Sequence, residues 1–180
     1  PSRQRHRSVA SSIARLMTFR HATILGPGLL GASLLMALRQ RFPGCHLRAW
    51  ARRDETRRAC AAQPWCDTVF ADPAEAVAGA DLVIACVPVD SIAPLLAQAA
   101  PGLSPDCLVT DVGSTKQRVC TASRDALAGR ATFLGSHPMA GSEKTGWEHA
   151  SADLFTGRPC FVTPDPDAPP AAVKRLVGFW

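Results

Sequence analysis

At 180 residues the chain is about the size of one domain and long enough to bury a proper core. The formal net charge is +5, but Arg3, Arg5, Arg7, Arg15 and Arg20 supply five of the twenty basic residues, and no acidic residue precedes Asp54. From residue 21 onward fifteen basic residues face fifteen acidic ones, so the body of the chain makes no electrostatic case for a nucleic-acid partner.

No membrane partner is expected either. The longest clean apolar run, Leu82 to Val89, is interrupted by Pro88 and is too short to cross a bilayer. Residues 1–17 read as a basic leader, rich in Arg and Ser, free of acids and expected to be disordered. Cys45, Cys60, Cys66, Cys86, Cys107, Cys120 and Cys160 form no C-x-x-C pair, and several sit in strand-like apolar runs. They read as reduced thiols of a cytoplasmic protein, with no metal site expected.

The chain then alternates strand and helix. Ala22 to Leu25 is a short apolar strand, followed by Gly26, Gly28 and Gly31 at the spacing G-x-G-x-x-G. An apolar helical pattern opens at once, with Leu30, Leu34, Leu35 and Leu38 on one face, and stops before Pro43-Gly44. In this setting the first glycine turns the chain, the second lets backbone amides approach a pyrophosphate, and the third lets helix and strand pack closely. Phosphates then rest on the helix N-terminus, on the backbone of Leu29 and Leu30. The stretch predicts a dinucleotide site.

His46 to Ala51 is a second strand. An acidic residue at its end would hydrogen-bond the adenosine ribose of NAD, but the chain has Ala51-Arg52-Arg53. Two guanidiniums suit a 2′-phosphate, which favours NADP over NAD; the plainer alternative is a pair of solvated loop charges. Asp54 is expected to cap a helix over 55–62.

Short elements follow at 68–70 (strand) and 73–78 (helix). Asp81-Leu-Val-Ile-Ala-Cys-Val-Pro88 reads as a buried parallel strand that delivers Val87 and Pro88 to its carboxyl end, the edge where open α/β sheets bind ligands. A helix over 91–100, a strand over 107–111, a helix opened by Gly113-Ser-Thr-Lys116 and a strand over 131–134 complete the alternation. The fold class is α/β, a doubly wound, mostly parallel sheet of Rossmann type. After Gly135 the texture becomes polar and irregular as far as Gly146, and a last strand over 158–163 leads to a helix beginning near Ala171. Residues 18–170 are expected to form the dinucleotide-binding domain and 171–180 the start of a truncated helical domain.

His137 is the sharpest candidate for chemistry. A histidine takes up a proton near neutral pH, and a strand-end loop facing a nicotinamide is where hydride transfer needs a base. Ser114 reads either as a partner of the imidazole or substrate, or as an ordinary helix cap. Glu143 reads as a residue that orients the site or as a solvated loop acid. Lys116 and Lys144 are candidates to attract an anionic substrate, and Trp147 and His149 are assigned to packing and surface.

Gly26-x-Gly28-x-x-Gly31, the strand 81–88, Asp111-Val-Gly-Ser-Thr-Lys116 and above all Gly135-Ser-His-Pro-Met-Ala-Gly-Ser-Glu-Lys-Thr-Gly146 resemble the prephenate/arogenate dehydrogenase family of tyrosine biosynthesis. The resemblance runs from Thr18 to the last residue. It implies NAD(P)-dependent oxidative decarboxylation of prephenate to 4-hydroxyphenylpyruvate, or of arogenate to tyrosine. By motif, His137 would take the proton of the ring hydroxyl, Ser114 would hold the imidazole or the substrate hydroxyl, and Glu143 would belong to the rim of the pocket. The family also has a C-terminal helical domain that forms a homodimer and lends an arginine to the substrate carboxylate; this chain is expected to stop where that domain begins. Two rivals stand: another dehydrogenase of the β-hydroxyacid type, which is not expected to carry the Ser-His-Pro-Met-Ala-Gly-Ser-Glu segment, and a nucleotide-binding module without catalysis.

Overall fold

Three of the central strands are buried on both faces, and that explains their composition. In the computed structural model, which describes residues 19–180, β1 (His21–Leu25), β2 (His46–Trp50), β3 (Thr68–Phe70), β4 (Leu82–Ala85), β5 (Leu108–Asp111) and β6 (Thr132–Phe133) form one parallel sheet in the order β3-β2-β1-β4-β5-β6. Along β4, Leu82 and Ile84 join the core on one face, and Val83 and Ala85 join the core on the other. A strand covered on both sides has no polar face to keep, hence the unbroken apolar run. The basic leader predicted for residues 1–17 lies outside the described residues.

The helices divide between the two faces. α1 (Leu29–Arg41) and α2 (Asp54–Ala61) contribute to the first core, and α3 (Pro73–Val77), α4 (Val89–Ala99) and α5 (Gln117–Leu127) to the second. The final helix, α6 (Pro170–Phe179), returns to the face of α1, where Leu176 is fully buried as a member of the same core. Residues 171–180 thus pack onto the core of this sheet.

Several local expectations are corrected. Asp54 does not cap α2; it is the first residue of that helix, and its carboxylate is taken by Arg58 and, at 3.2 Å, by Arg57. The Arg58 guanidinium holds that carboxyl below the usual carboxylate range. An acidic residue in a first turn favours the helix dipole without capping it. The cap appears instead on α3, where the Asp72 carboxylate accepts from the N–H groups of Ala74 and Glu75 at 2.7 and 3.0 Å. Residues 113–116 do not open α5, which starts at Gln117, and Ser114 caps nothing. The stretch after Gly135 is not wholly irregular: β7 (Gly135–Pro138) pairs antiparallel with β8 (Cys160–Thr163), setting His137 opposite Phe161.

Candidate functional site

The strand order reverses direction between β1 and β4, and a cleft of about 1100 Å³ opens at their carboxyl ends. This switch point is where doubly wound sheets bind ligands. Gly26, Gly28, Val87 and Pro88 line it at the centre, and Trp50, Ala51, Arg52 and Arg53 line it at the end of β2.

Gly26 and Gly31 form the turn and the close helix packing that the spacing predicts. Gly26 has φ +97°, and a Cβ there would stand 2.7 Å from Val87 Cγ1 and 2.8 Å from the Cys86 carbonyl oxygen. At Gly31 a Cβ would meet the Gly26 carbonyl oxygen at 2.3 Å, so helix and turn touch backbone to backbone. At Gly28 a Cβ would meet nothing within 4 Å. Gly28 is also the N-cap of α1, with no side-chain hydrogen bond and no acidic residue in the first turn. Such a helix start, roofed by open space, is a fit for a phosphate group. Leu29, Leu30 and Gly31 form the first turn of that helix and do not line the cleft.

The Arg52-Arg53 loop is held by a third arginine, which no motif in the sequence marks. Arg57, one turn into α2, donates to the carbonyls of Ala51 and Arg52 at 2.9 and 2.8 Å. Trp50 at the end of β2 is fixed by its indole N–H, which donates to the Ala71 carbonyl at 2.8 Å. Arg52 and Arg53 are exposed and make no ion pair among the described residues.

Asp111 organises the other side of the site. It ends β5 fully buried, and its carboxylate accepts from Gly113 N at 2.8 Å, from Ser136 N at 3.2 Å and from the Lys116 ammonium. Lys116 also donates to the Ser136 carbonyl at 2.7 Å. The Ser136 hydroxyl donates to the Asp111 carbonyl at 2.6 Å and accepts from the Thr110 hydroxyl at 2.9 Å. Lys116 is therefore held by Asp111 and the Ser136 carbonyl and is not a free cation for substrate, so of its two readings the one without a specific substrate role fits.

These bonds hold His137, next to Ser136, at the carboxyl end of β5, on the edge of the sheet where the glycine turn lies. His137 is half-buried; Ser114 and Glu143 are exposed. None of the three lines the cleft. The loop after β7 does reach it, through Gly146, Trp147 and Glu148. Trp147 also packs on Trp65 at 6.5 Å between ring centroids, which agrees with its packing assignment but adds a place at the cleft. No local pattern in the sequence marks Glu148, because the loop reaches the cleft by packing on α1. There the Ser151 amide donates to the Ser33 hydroxyl at 3.0 Å.

All seven cysteines are free thiols. Burial pushes Cys45 and Cys60 up to about 11 and Cys66 and Cys107 up to about 12, so these four stay protonated near neutral pH. Among the described residues no three His, Cys, Asp or Glu side chains converge as metal ligands, and no helix is long and apolar enough to cross a membrane.

The model of one protein family, prephenate dehydrogenase, nucleotide-binding domain, matches residues 37–180. The chain belongs to this family. It is 33% identical over 165 residues to the cyclohexadienyl dehydrogenase of Zymomonas mobilis, covering 92% of this chain and 56% of that protein. Among solved structures it is similar to the Synechocystis arogenate dehydrogenase, with a TM-score of 0.80 and 30% identity over 88% of this chain and 55% of that one. The Aquifex aeolicus prephenate dehydrogenase, solved with hydroxyphenyl propionate and NAD+, has a TM-score of 0.83. At 24% identity, over 91% of this chain and 57% of that one, this last likeness is one of fold. The chain spans just over half the length of these family members.

Proposed function

We propose that the protein carries out NAD(P)-dependent oxidative decarboxylation of prephenate to 4-hydroxyphenylpyruvate, or of arogenate to tyrosine. The observation that carries the reading is the pairing of family membership with geometry. A cleft lined by Gly26 and Gly28 opens at the sheet's switch point, and the bond from Ser136 to Asp111 ties the segment that carries His137 to the carboxyl edge of the same sheet.

In this reading His137 accepts the proton of the ring hydroxyl, and Ser114 holds the imidazole or that hydroxyl. A nicotinamide bound in the cleft would supply the hydride acceptor for the carbon that bears this hydroxyl. The bond to the ring carboxylate breaks, carbon dioxide leaves, and its electron pair completes the aromatic ring. The protein supplies position and one base. Glu143 belongs to the rim of the substrate pocket. Gly26, Gly28 and the backbone N–H groups of Leu29 and Leu30 at the start of α1 would hold the pyrophosphate, Gly31 keeps helix and turn close enough for that, and Val87 and Pro88 would lie beside the dinucleotide.

Arg52 and Arg53 point the cofactor choice to NADP, since both are exposed, unpaired among the described residues and on the cleft where the adenosine ribose would lie. On the same reading the enzyme works in the cytoplasm, where its thiols stay reduced, as a homodimer formed through a C-terminal helical domain. A steady-state comparison of prephenate and arogenate, each with NAD and NADP, tests the proposal on the intact protein. Reduced nicotinamide formed with one of the two substrates is the expected result, and none with either refutes it.

A further inference from the structure

Ser114 and His137 come from different parts of the chain, and one buried carboxylate lies between their anchor points. We propose that Asp111 is a positioning residue that sets Ser114 and His137 relative to one another; this rests on the reading of those two residues as catalytic.

Asp111 is fully buried at the last position of β5. Its Oδ2 accepts from the Gly113 amide, one residue before Ser114, and from Lys116, two residues after it. Its Oδ1 accepts from the Ser136 amide, one residue before His137. A single planar carboxylate therefore clips the 112–116 loop at two points and the start of β7 at a third. Lys116 closes the ring by donating to the Ser136 carbonyl, so neither segment slides along the other without breaking a buried, charge-assisted bond.

The backbone around the clip is built to come close. A Cβ on Gly113 would stand 2.9 Å from Asp111 Oδ2, and one on Gly135 would stand 2.5 Å from Cys120 Sγ and 3.2 Å from Lys116 Cδ. Both glycines are places where a side chain would push the clipped segments apart. The glycine turn that holds the cofactor is not part of the ring, so loss of the clip should alter turnover before it alters cofactor binding.

The test is made on the intact protein with Asp111→Asn and Asp111→Asn/Lys116→Met, alongside His137→Asn. Asp111→Asn keeps the size of the side chain but weakens its hold on both segments. The double variant removes both charges together, so neither is left buried without its partner. A misplacement of about 1 Å costs on the order of a hundredfold in rate. The expected result is a fall in kcat of roughly 30- to 100-fold in both variants, with the dissociation constant for the cofactor within about twofold of wild type. The His137 ring resonances should shift in the NMR spectrum of the free protein.

A folded double variant with wild-type kcat and unshifted His137 resonances overturns the proposal, as does a loss of cofactor affinity equal to the loss of kcat. If His137→Asn turns over normally, the catalytic reading itself falls and the proposal with it. If His137→Asn is inactive while both Asp111 variants are fully active, the positioning role alone is refuted.

Discussion

Gly26 and Val87 touch across the reversal point of the sheet, one at the end of β1 and the other just past β4, so close that a Cβ on Gly26 would lie 2.7 Å from Val87 Cγ1. Its φ of +97° is also a region that side chains rarely adopt. Gly26→Ala should therefore lose about 1–3 kcal/mol of stability and most of its cofactor affinity together. Urea unfolding and a fluorescence titration with reduced cofactor measure both, and an unchanged titration contradicts the assignment of the cleft.

Arg52 and Arg53 are proposed to select the 2′-phosphate. A hydrogen bond to a charged group contributes about 1.5–3 kcal/mol, so Arg53→Ala should raise KM for NADP by roughly tenfold or more and leave KM for NAD nearly unchanged. Equal effects on the two cofactors would mean that the arginine is a solvated loop charge.

Leu176 is wholly buried against the face of the sheet that α1 covers. Leu176→Ala should cost about 2–5 kcal/mol, read as a drop in the unfolding midpoint. A change under about 0.5 kcal/mol, as at a surface position, would show that α6 contributes nothing to this core.

Alkaline stability follows from the buried thiols. In the unfolded chain a cysteine ionises near 9, whereas burial pushes Cys45 and Cys60 to about 11 and Cys66 and Cys107 to about 12. The raised groups favour the folded state fully below pH 9, and that contribution is lost as pH rises through 11 and 12. The unfolding midpoint should hold steady from pH 7 to 8.5 and fall between pH 9 and 12. Replacing Cys66 with Ala should flatten part of that fall.

Much of the frame is legible in the chain because it rests on local signals. The unbroken Leu82–Ala85 run reports a strand covered on both faces, and the glycine spacing reports close backbone contacts that only glycine allows. What escapes is non-local. Gly-Ser-His-Pro has no alternating pattern, and β7 is a strand only because Cys160–Thr163 returns to pair with it. Asp111 ends an apolar run without showing that it will meet Ser136, 25 positions away. Arg57 reads as a helix surface charge until its guanidinium is seen on the Ala51 and Arg52 carbonyls. Asp54 misleads because a carboxylate suits both a cap and a first turn, and only the backbone distinguishes them.

The proton transfer assigned to His137 is the centre of the account. The direct measurement is single-turnover oxidation of prephenate or arogenate by His137→Asn, run beside a cofactor titration of the same variant. General-base loss costs about two to four decades in rate, so the variant should be slowed by that much while its cofactor dissociation constant stays within about twofold of wild type. A variant that turns over at near wild-type rate would contradict the account.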